Sequence, residues 1–268
     1  MAEPLGRQET RRLLDAHGIR PTKHLGQHFL VEPNVVRRIV EISGVGPGAQ
    51  VVEIGAGIGT LTRALAATGA AVVAYEIDET LRPVLAETVG DSAEVRFGDA
   101  LAVDWDADLG PGTWVVVANL PYNVGTPLVL DLLRFVPRVV RLVVMLQEEA
   151  VERLAAGPGT KAYGLPSVVA SLHGSVRVAL RVPAHLFVPP PKVRSAVAVI
   201  DRRPVDPVAE RAIALAAAGF GQRRKMIRSS LRTALTDPER SIAAAGLTPT
   251  DRAEDLAPAD WLALAGAA

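Results

Sequence analysis

The apolar run Val51–Ile54 passes into Gly55-Ala56-Gly57-Ile58-Gly59, and from Leu61 to Ala67 the apolar spacing turns helical. A buried strand that leads through three alternate glycines into a helix has few folds open to it. Parallel strands need a crossover of a dozen or more residues, usually a helix, so such a unit calls for further strands beside it. They follow at once. Ala71–Glu76, Ala93–Phe97, Trp114–Ala118 and Val139–Leu146 read as strands, with helical spacing over Glu79–Val89, Pro127–Phe135 and Glu148–Ala156. Trp114–Ala118 is continuously apolar, as a strand covered on both faces must be. Strands that alternate with helices predict a doubly wound, Rossmann-like α/β sheet. Arg177–Val182 and Ala196–Asp201 flank a Pro-Pro-Pro-Lys loop and read as a late, hairpin-like pair.

The ends of the chain have a different texture. Residues 1–30 read as a loose arm with one short helix over Glu9–His17, and a helix begins near Pro33. After Arg202-Arg203-Pro204 the sequence becomes Ala-rich and helical, broken at Pro238, Gly246, Pro249 and Pro258. The expected division is therefore an arm (1–30), an α/β domain (31–203) and a small all-helical domain (204–268). The absence of cysteine excludes disulfides, thiolate nucleophiles and Cys-ligated zinc. With only five histidines and no cysteine, a metal site is an unpromising expectation. No secretory h-region and no stretch of eighteen apolar residues occur, so a soluble, cytoplasmic protein is expected. Net charge is zero, yet residues 181–232 carry eleven basic and three acidic side chains. A block of that size suits a polyanion, and equally a solvated face.

Four motifs sit where strands end. Glu53-Ile54-Gly55-Ala56-Gly57-Ile58-Gly59 has the spacing E-x-G-x-G-x-G, not the dinucleotide G-x-G-x-x-G, and no P-loop Lys-Ser/Thr follows. This form is typical of S-adenosylmethionine (SAM) methyltransferases, though an ordinary tight turn would look similar. Glu76 closes the second strand 23 residues after Glu53, where an acid can accept both ribose hydroxyls of a nucleoside. Asp99, after the third strand, can accept from an adenine amino group or simply close a turn. Asn119-Leu120-Pro121-Tyr122 follows the fourth strand. An adenine amine is a poor nucleophile because its lone pair is delocalised into the ring. The Asn119 oxygen and the Leu120 carbonyl can accept from that amine and favour a tetrahedral nitrogen, with Tyr122 stacked on a base swung out of its helix. A proline turn with a buried tyrosine is the plainer alternative.

With these motifs in order, together with Gly26-Gln27-His28-Phe29-Leu30, NLPYNVGTPL, FVPPPKVRSAV and FGQRRKMIRSSL, the chain resembles the KsgA/RsmA family of ribosomal RNA adenine dimethyltransferases over about residues 20–235. The resemblance implies a class I SAM-dependent methyltransferase sheet with a small C-terminal helical domain. It implies N6,N6-dimethylation of two adjacent adenosines in the 3′-terminal hairpin loop of 16S rRNA, within the small (30S) ribosomal subunit or its precursor, by a monomer. Gln27, His28 and Leu30 would lie over the adenosine of the cofactor, with Glu53, Gly55, Gly57, Glu76, Asp99 and Asn119 completing its site. Pro121 would belong to the catalytic turn. Phe187 would face Tyr122 across the flipped adenine, although by its chemistry alone it could as well be a core residue. Lys192, Arg194, Arg223, Arg224, Lys225, Arg228 and Arg232 would touch RNA phosphates. On a helix, Arg224, Arg228 and Arg232 share one face, which suits a phosphate stripe and equally a solvated face. His28, Ala56 and Gly125 depart from the residues common in the family.

Two other functions share much of this pattern. An Erm-type enzyme methylates one adenosine of large-subunit rRNA and uses the same fold, SAM and a similar N-[IL]-P-[YF] motif. A non-catalytic assembly factor would keep the scaffold and lose the chemistry, against which the intact Gly55, Glu76, Asp99, Asn119 and Tyr122 argue.

Overall fold

The computed structural model describes residues 3–268, the side chain of Lys23 excepted. The chain divides into two compact units. One holds the residues up to Val151 together with Arg177–Asp201, and the other holds Glu152–Val176 with Arg202–Ala268.

The first unit is built on a seven-stranded sheet. Its strands, with the short β1 (Phe29–Leu30) and β8 (Phe187–Val188) outside it, are β2 (Gln50–Ile54), β3 (Ala71–Glu76), β4 (Glu94–Phe97), β5 (Trp114–Asn119), β6 (Val139–Gln147), β7 (Gly174–Val182) and β9 (Ser195–Arg202), in the spatial order β4-β3-β2-β5-β6-β9-β7. The run from β4 to β6 is parallel, and β9 joins β6 antiparallel. The fold class is the expected α/β sheet, and the late pair β7 and β9 lie side by side at one end of it. Strand order reverses between β2 and β5. At that switch the carboxyl ends of parallel strands open a crevice, which is where ligands bind in sheets of this type.

Helices α1 (Arg7–Ala16), α2 (Pro33–Ser43), α3 (Thr60–Ala66), α4 (Arg82–Thr88), α5 (Trp105–Asp108), α6 (Gly125–Phe135) and α7 (Glu148–Leu154) follow in chain order, α7 running across the boundary between units. The N-terminal arm is not loose. Leu5, Leu13, Leu14 and Phe29 are buried in one core cluster with Leu81, Val84 and Leu85. Burial of that apolar face outweighs the polar composition that suggested a free arm. Phe29–Leu30 also pairs antiparallel with Phe187–Val188, a two-residue ladder too short to show as a strand pattern in sequence.

The second unit is helical: α8 (Leu165–His173), α9 (Ala209–Gly221), α10 (Ile227–Ser230), α11 (Pro238–Ala244) and α12 (Pro258–Ala267). Its core centres on fully buried Trp261, which lies against Phe220 and so close to Gly219 that an added Cβ there would stand 2.7 Å from the indole. The linear division at residue 204 therefore does not match the packing. Tyr163 stacks edge-on against Phe220 and donates its hydroxyl to the Leu256 carbonyl at 2.8 Å, which binds the segment from Glu152 to the C-terminal helices. Long-range packing of this kind leaves no local mark in sequence.

Candidate functional site

A cavity opens at the carboxyl ends of β2, β3, β4 and β5, and Gly55, Gly57, Glu76, Asp99 and Asn119 line it together with Gln27, His28, Leu120, Pro121 and Tyr122. Residues scattered over a hundred positions meet there because parallel strands end at one edge.

The glycine turn forms one wall. Gly57 takes a φ of 58°, and a Cβ on it would meet the Phe29 ring at 3.2 Å. Only glycine fits both the conformation and the space. Glu76 sits beside it, 6% exposed, with one carboxylate oxygen accepting from the Gly57 N–H at 2.7 Å and the other from the Asp78 N–H at 2.9 Å. Burial holds its pKa above the ordinary carboxylate value, against the pull of those two N–H groups. Each oxygen has a second lone pair, so the carboxylate retains capacity for ligand hydroxyls. Asp99 turns back to accept from the Leu101 N–H at 2.9 Å and remains exposed at the cavity edge.

The N-terminal segment forms the opposite wall. Gln27 donates to Asp78 Oδ2 at 2.6 Å and accepts from the Thr22 N–H at 2.8 Å, which ties the segment to the end of β3. His28 contacts three parts of the site. Its Nδ1 lies 2.7 Å from the Pro189 carbonyl, so that nitrogen carries the proton. Its ring stacks on Tyr122 at 5.9 Å, and its own carbonyl accepts from Asn119 Nδ2 at 3.2 Å. That last bond fixes the Asn119 amide. With the NH2 group turned to His28, the oxygen is the face left for a ligand that donates. Tyr122 is held at its other end by a 2.6 Å hydrogen bond between its hydroxyl and Ser195 Oγ, and burial pushes its phenol pKa up.

Three expected residues lie outside the cavity lining. Glu53 is fully buried, and burial together with the charge of Glu76 raises its pKa to about 8. Leu30 and Phe187, paired in the β1–β8 ladder, both have their side chains in the core with Val36 and Val182. The Phe187 ring, fully buried, presents no face opposite Tyr122; pairing in the ladder turns it inward. The expected basic helix is also absent. Gly221 ends α9, Met226 is extended and pairs with Arg252, and only Arg228 of the arginine trio lies in a helix, the four-residue α10. Arg224, Lys225, Arg228 and Arg232 are exposed, whereas Arg223 is paired with Glu254 at 2.7 Å. Lys192 and Arg194 are exposed in the first unit. Sequence reasoning missed Ser195 and Pro189, whose roles come from contacts made across more than seventy residues. Among the described residues, no group of three or more His, Asp or Glu side chains is placed to hold a metal ion.

A family profile described as ribosomal RNA adenine dimethylase matches residues 19–267. The chain belongs to the ribosomal RNA adenine dimethylase family. It is 47% identical over 264 residues to the ribosomal RNA small subunit methyltransferase A of Phenylobacterium zucineum, covering 96% of this chain and 91% of that one. With the protein of the same name from Leifsonia xyli it shares 43% identity, covering 97% of each. Among solved structures, the 23S rRNA methyltransferase ErmE superposes with a TM-score of 0.70 at 25% identity, over 89% of this chain and 98% of that one. A dimethyladenosine transferase from Plasmodium falciparum gives 0.73 at 23% identity, covering 88% and 96%, and so shares the fold.

As a ribosomal RNA adenine dimethylase the chain is an rRNA adenine dimethyltransferase, and its methyl donor is SAM. The cavity suits that cofactor. A glycine turn that a Cβ would obstruct leaves room for a close-lying ligand, and a buried carboxylate beside it offers acceptors for a ribose. When bound, SAM supplies a methyl group made electrophilic by its sulfonium.

Proposed function

We propose that this chain dimethylates the exocyclic amines of two adjacent adenosines in the 3′-terminal hairpin loop of 16S rRNA. The substrate is the small (30S) subunit or its precursor, and the enzyme acts as a cytoplasmic monomer with a part in subunit biogenesis. The observation that supports this most is the Asn119 amide, tied through its NH2 group to the His28 carbonyl so that its oxygen is the acceptor left at the cavity. An adenine amine that donates to the Asn119 oxygen and the Leu120 carbonyl has its lone pair drawn out of conjugation. Both acceptors are neutral, so the nucleophile is aligned without a strong base. Tyr122, gripped by Ser195 and His28, gives the base a fixed stacking surface. Glu76 accepts from the cofactor ribose, Asp99 from its adenine, and Gln27, His28, Gly55 and Gly57 close around it. Glu53, Leu30 and Phe187 support that wall from the core. Lys192, Arg194, Arg224, Lys225, Arg228 and Arg232 meet RNA phosphates.

The test is to incubate the protein with labelled SAM and separated small and large subunits from a strain lacking the modification, then map the labelled nucleoside. Dimethyladenosine in the small-subunit 3′-terminal hairpin is the expected result. Label in the large subunit would replace this reading with an ErmE-like one, and SAM binding without label on either subunit would replace it with an assembly role.

A further inference from the structure

Glu148, at the start of α7, holds two arginines at once. Its Oε1 accepts from Arg181 Nε and its Oε2 from Arg194 Nε, each at 2.7 Å. The carboxylate is 12% exposed at its side chain, while the two guanidinium-bearing side chains are 60% and 69% exposed. Arg194 is pinned a second time, by the Glu148 N–H donating to its carbonyl at 3.0 Å. Glu148 thus lies between two guanidinium groups whose side chains are largely exposed.

Its location gives it meaning. Gln147 and Ser195 are register partners in the β6–β9 ladder, and Ser195 Oγ holds the Tyr122 hydroxyl. Glu148 and Arg194 are the residues just beyond the ends of those two strands, so Arg194 is joined to the ring that receives the target base through its neighbour Ser195, and Arg181 is joined to Arg194 through Glu148. A base can leave its stack only if the backbone on either side is held, and that backbone carries a phosphate per nucleotide. Arginine forks match phosphate geometry, and ordering two such side chains in advance lowers the entropy lost on binding.

We propose that Arg181 and Arg194, spaced by Glu148, form a preset clamp for a phosphodiester flanking the target adenosine, with Glu148 as its positioning residue. The inference rests on the rRNA dimethyltransferase reading and adds to it a site that includes Arg181.

The experiment measures binding to small ribosomal subunits lacking the modification, as a function of salt, for wild type, Arg181→Ala, Arg194→Ala, the double variant and Glu148→Gln. Each lost phosphate contact should flatten the slope of log K against log salt by about 0.7, and the double variant by about twice that, with SAM affinity unchanged. A double variant that binds SAM normally and keeps the wild-type slope overturns the proposal. Glu148→Gln separates a preset clamp from loose surface charge. It adds one positive charge, so loose charge would tighten RNA binding, whereas a clamp that loses its spacer should show a KM raised several-fold with kcat little changed. Unchanged or tighter binding by Glu148→Gln overturns the positioning role. Wild-type protein that binds SAM and leaves the small subunits unmethylated would instead count against the dimethyltransferase reading, whatever the variants do.

Discussion

Asn119 and Glu76 line the same cavity and are assigned opposite tasks, which single substitutions can separate. Asn119→Ala removes the side-chain acceptor offered to the amine and should lower kcat by about 10²–10³-fold, the usual cost of one well-placed polar group in a transition state. SAM affinity should stay within a few-fold of wild type. Near-normal turnover of this variant would sink the assignment. Glu76→Ala should do the reverse and weaken SAM binding first, and titration calorimetry reads the difference directly. Glu53 gives a third prediction at this scale. Burial pushes its pKa up to about 8 from the ordinary carboxylate value of 4.5, so the folded state holds a proton that the unfolded state has released between those values. The contribution is fully present below about pH 4.5 and is lost as pH rises toward 8, with a limiting slope of about 1.4 kcal/mol per pH unit. Glu53→Gln should flatten the fall of melting temperature over that window. A pH profile that stays parallel to wild type would show that the carboxyl is not held protonated.

Within the elements, the glycine turn makes the clearest case that spacing and structure tell one story. Gly59 has a φ of 82°, and a Cβ on it would stand 2.6 Å from Val89 Cγ2 and 2.7 Å from Thr88 Oγ1. Gly59→Ala combines a left-handed backbone with overpacking against α4 and should destabilise by about 2–4 kcal/mol in urea unfolding. Gly46, with ordinary φ and nothing within 4 Å of its Cβ position, is the matched control and should tolerate alanine within about 0.5 kcal/mol. Equal effects at the two positions would refute the packing argument. Strands were legible for a similar reason. β3 lies where its apolar run predicts it, because burial on both faces leaves an unbroken apolar signal. Helix α8 was not read from sequence, since Leu165-Pro166-Ser167 follows a loop of glycine and proline and its nine residues show no polar stripe. The arginines from 224 to 232 show the opposite failure. Their spacing of four fits a helix, but the chain there turns out of α9, and its extended Met226 pairs with Arg252.

On the scale of the whole molecule, the two units have separate cores. Trp261→Ala deletes the largest buried side chain of the helical unit and should cost about 3–5 kcal/mol there. SAM affinity, a property of the cavity in the sheet unit, should persist at temperatures where helical signal is already falling. Simultaneous loss of both signals would mean that the units unfold as one. The sequence by itself determined what local chemistry can write: the run of buried strands, the glycine turn, the acids Glu76 and Asp99 at two strand ends and the Asn-Leu-Pro-Tyr turn. Those features are legible because each is contiguous and each meets a local demand of backbone or ligand. Only the tertiary structure decided that Leu30 and Phe187 turn into the core, that Glu152–Val176 pack with the C-terminal helices, and that His28 and Ser195 fix Asn119 and Tyr122. Those outcomes depend on partners distant in the chain, and the free energy of a long-range contact leaves no period or spacing in the residues that make it.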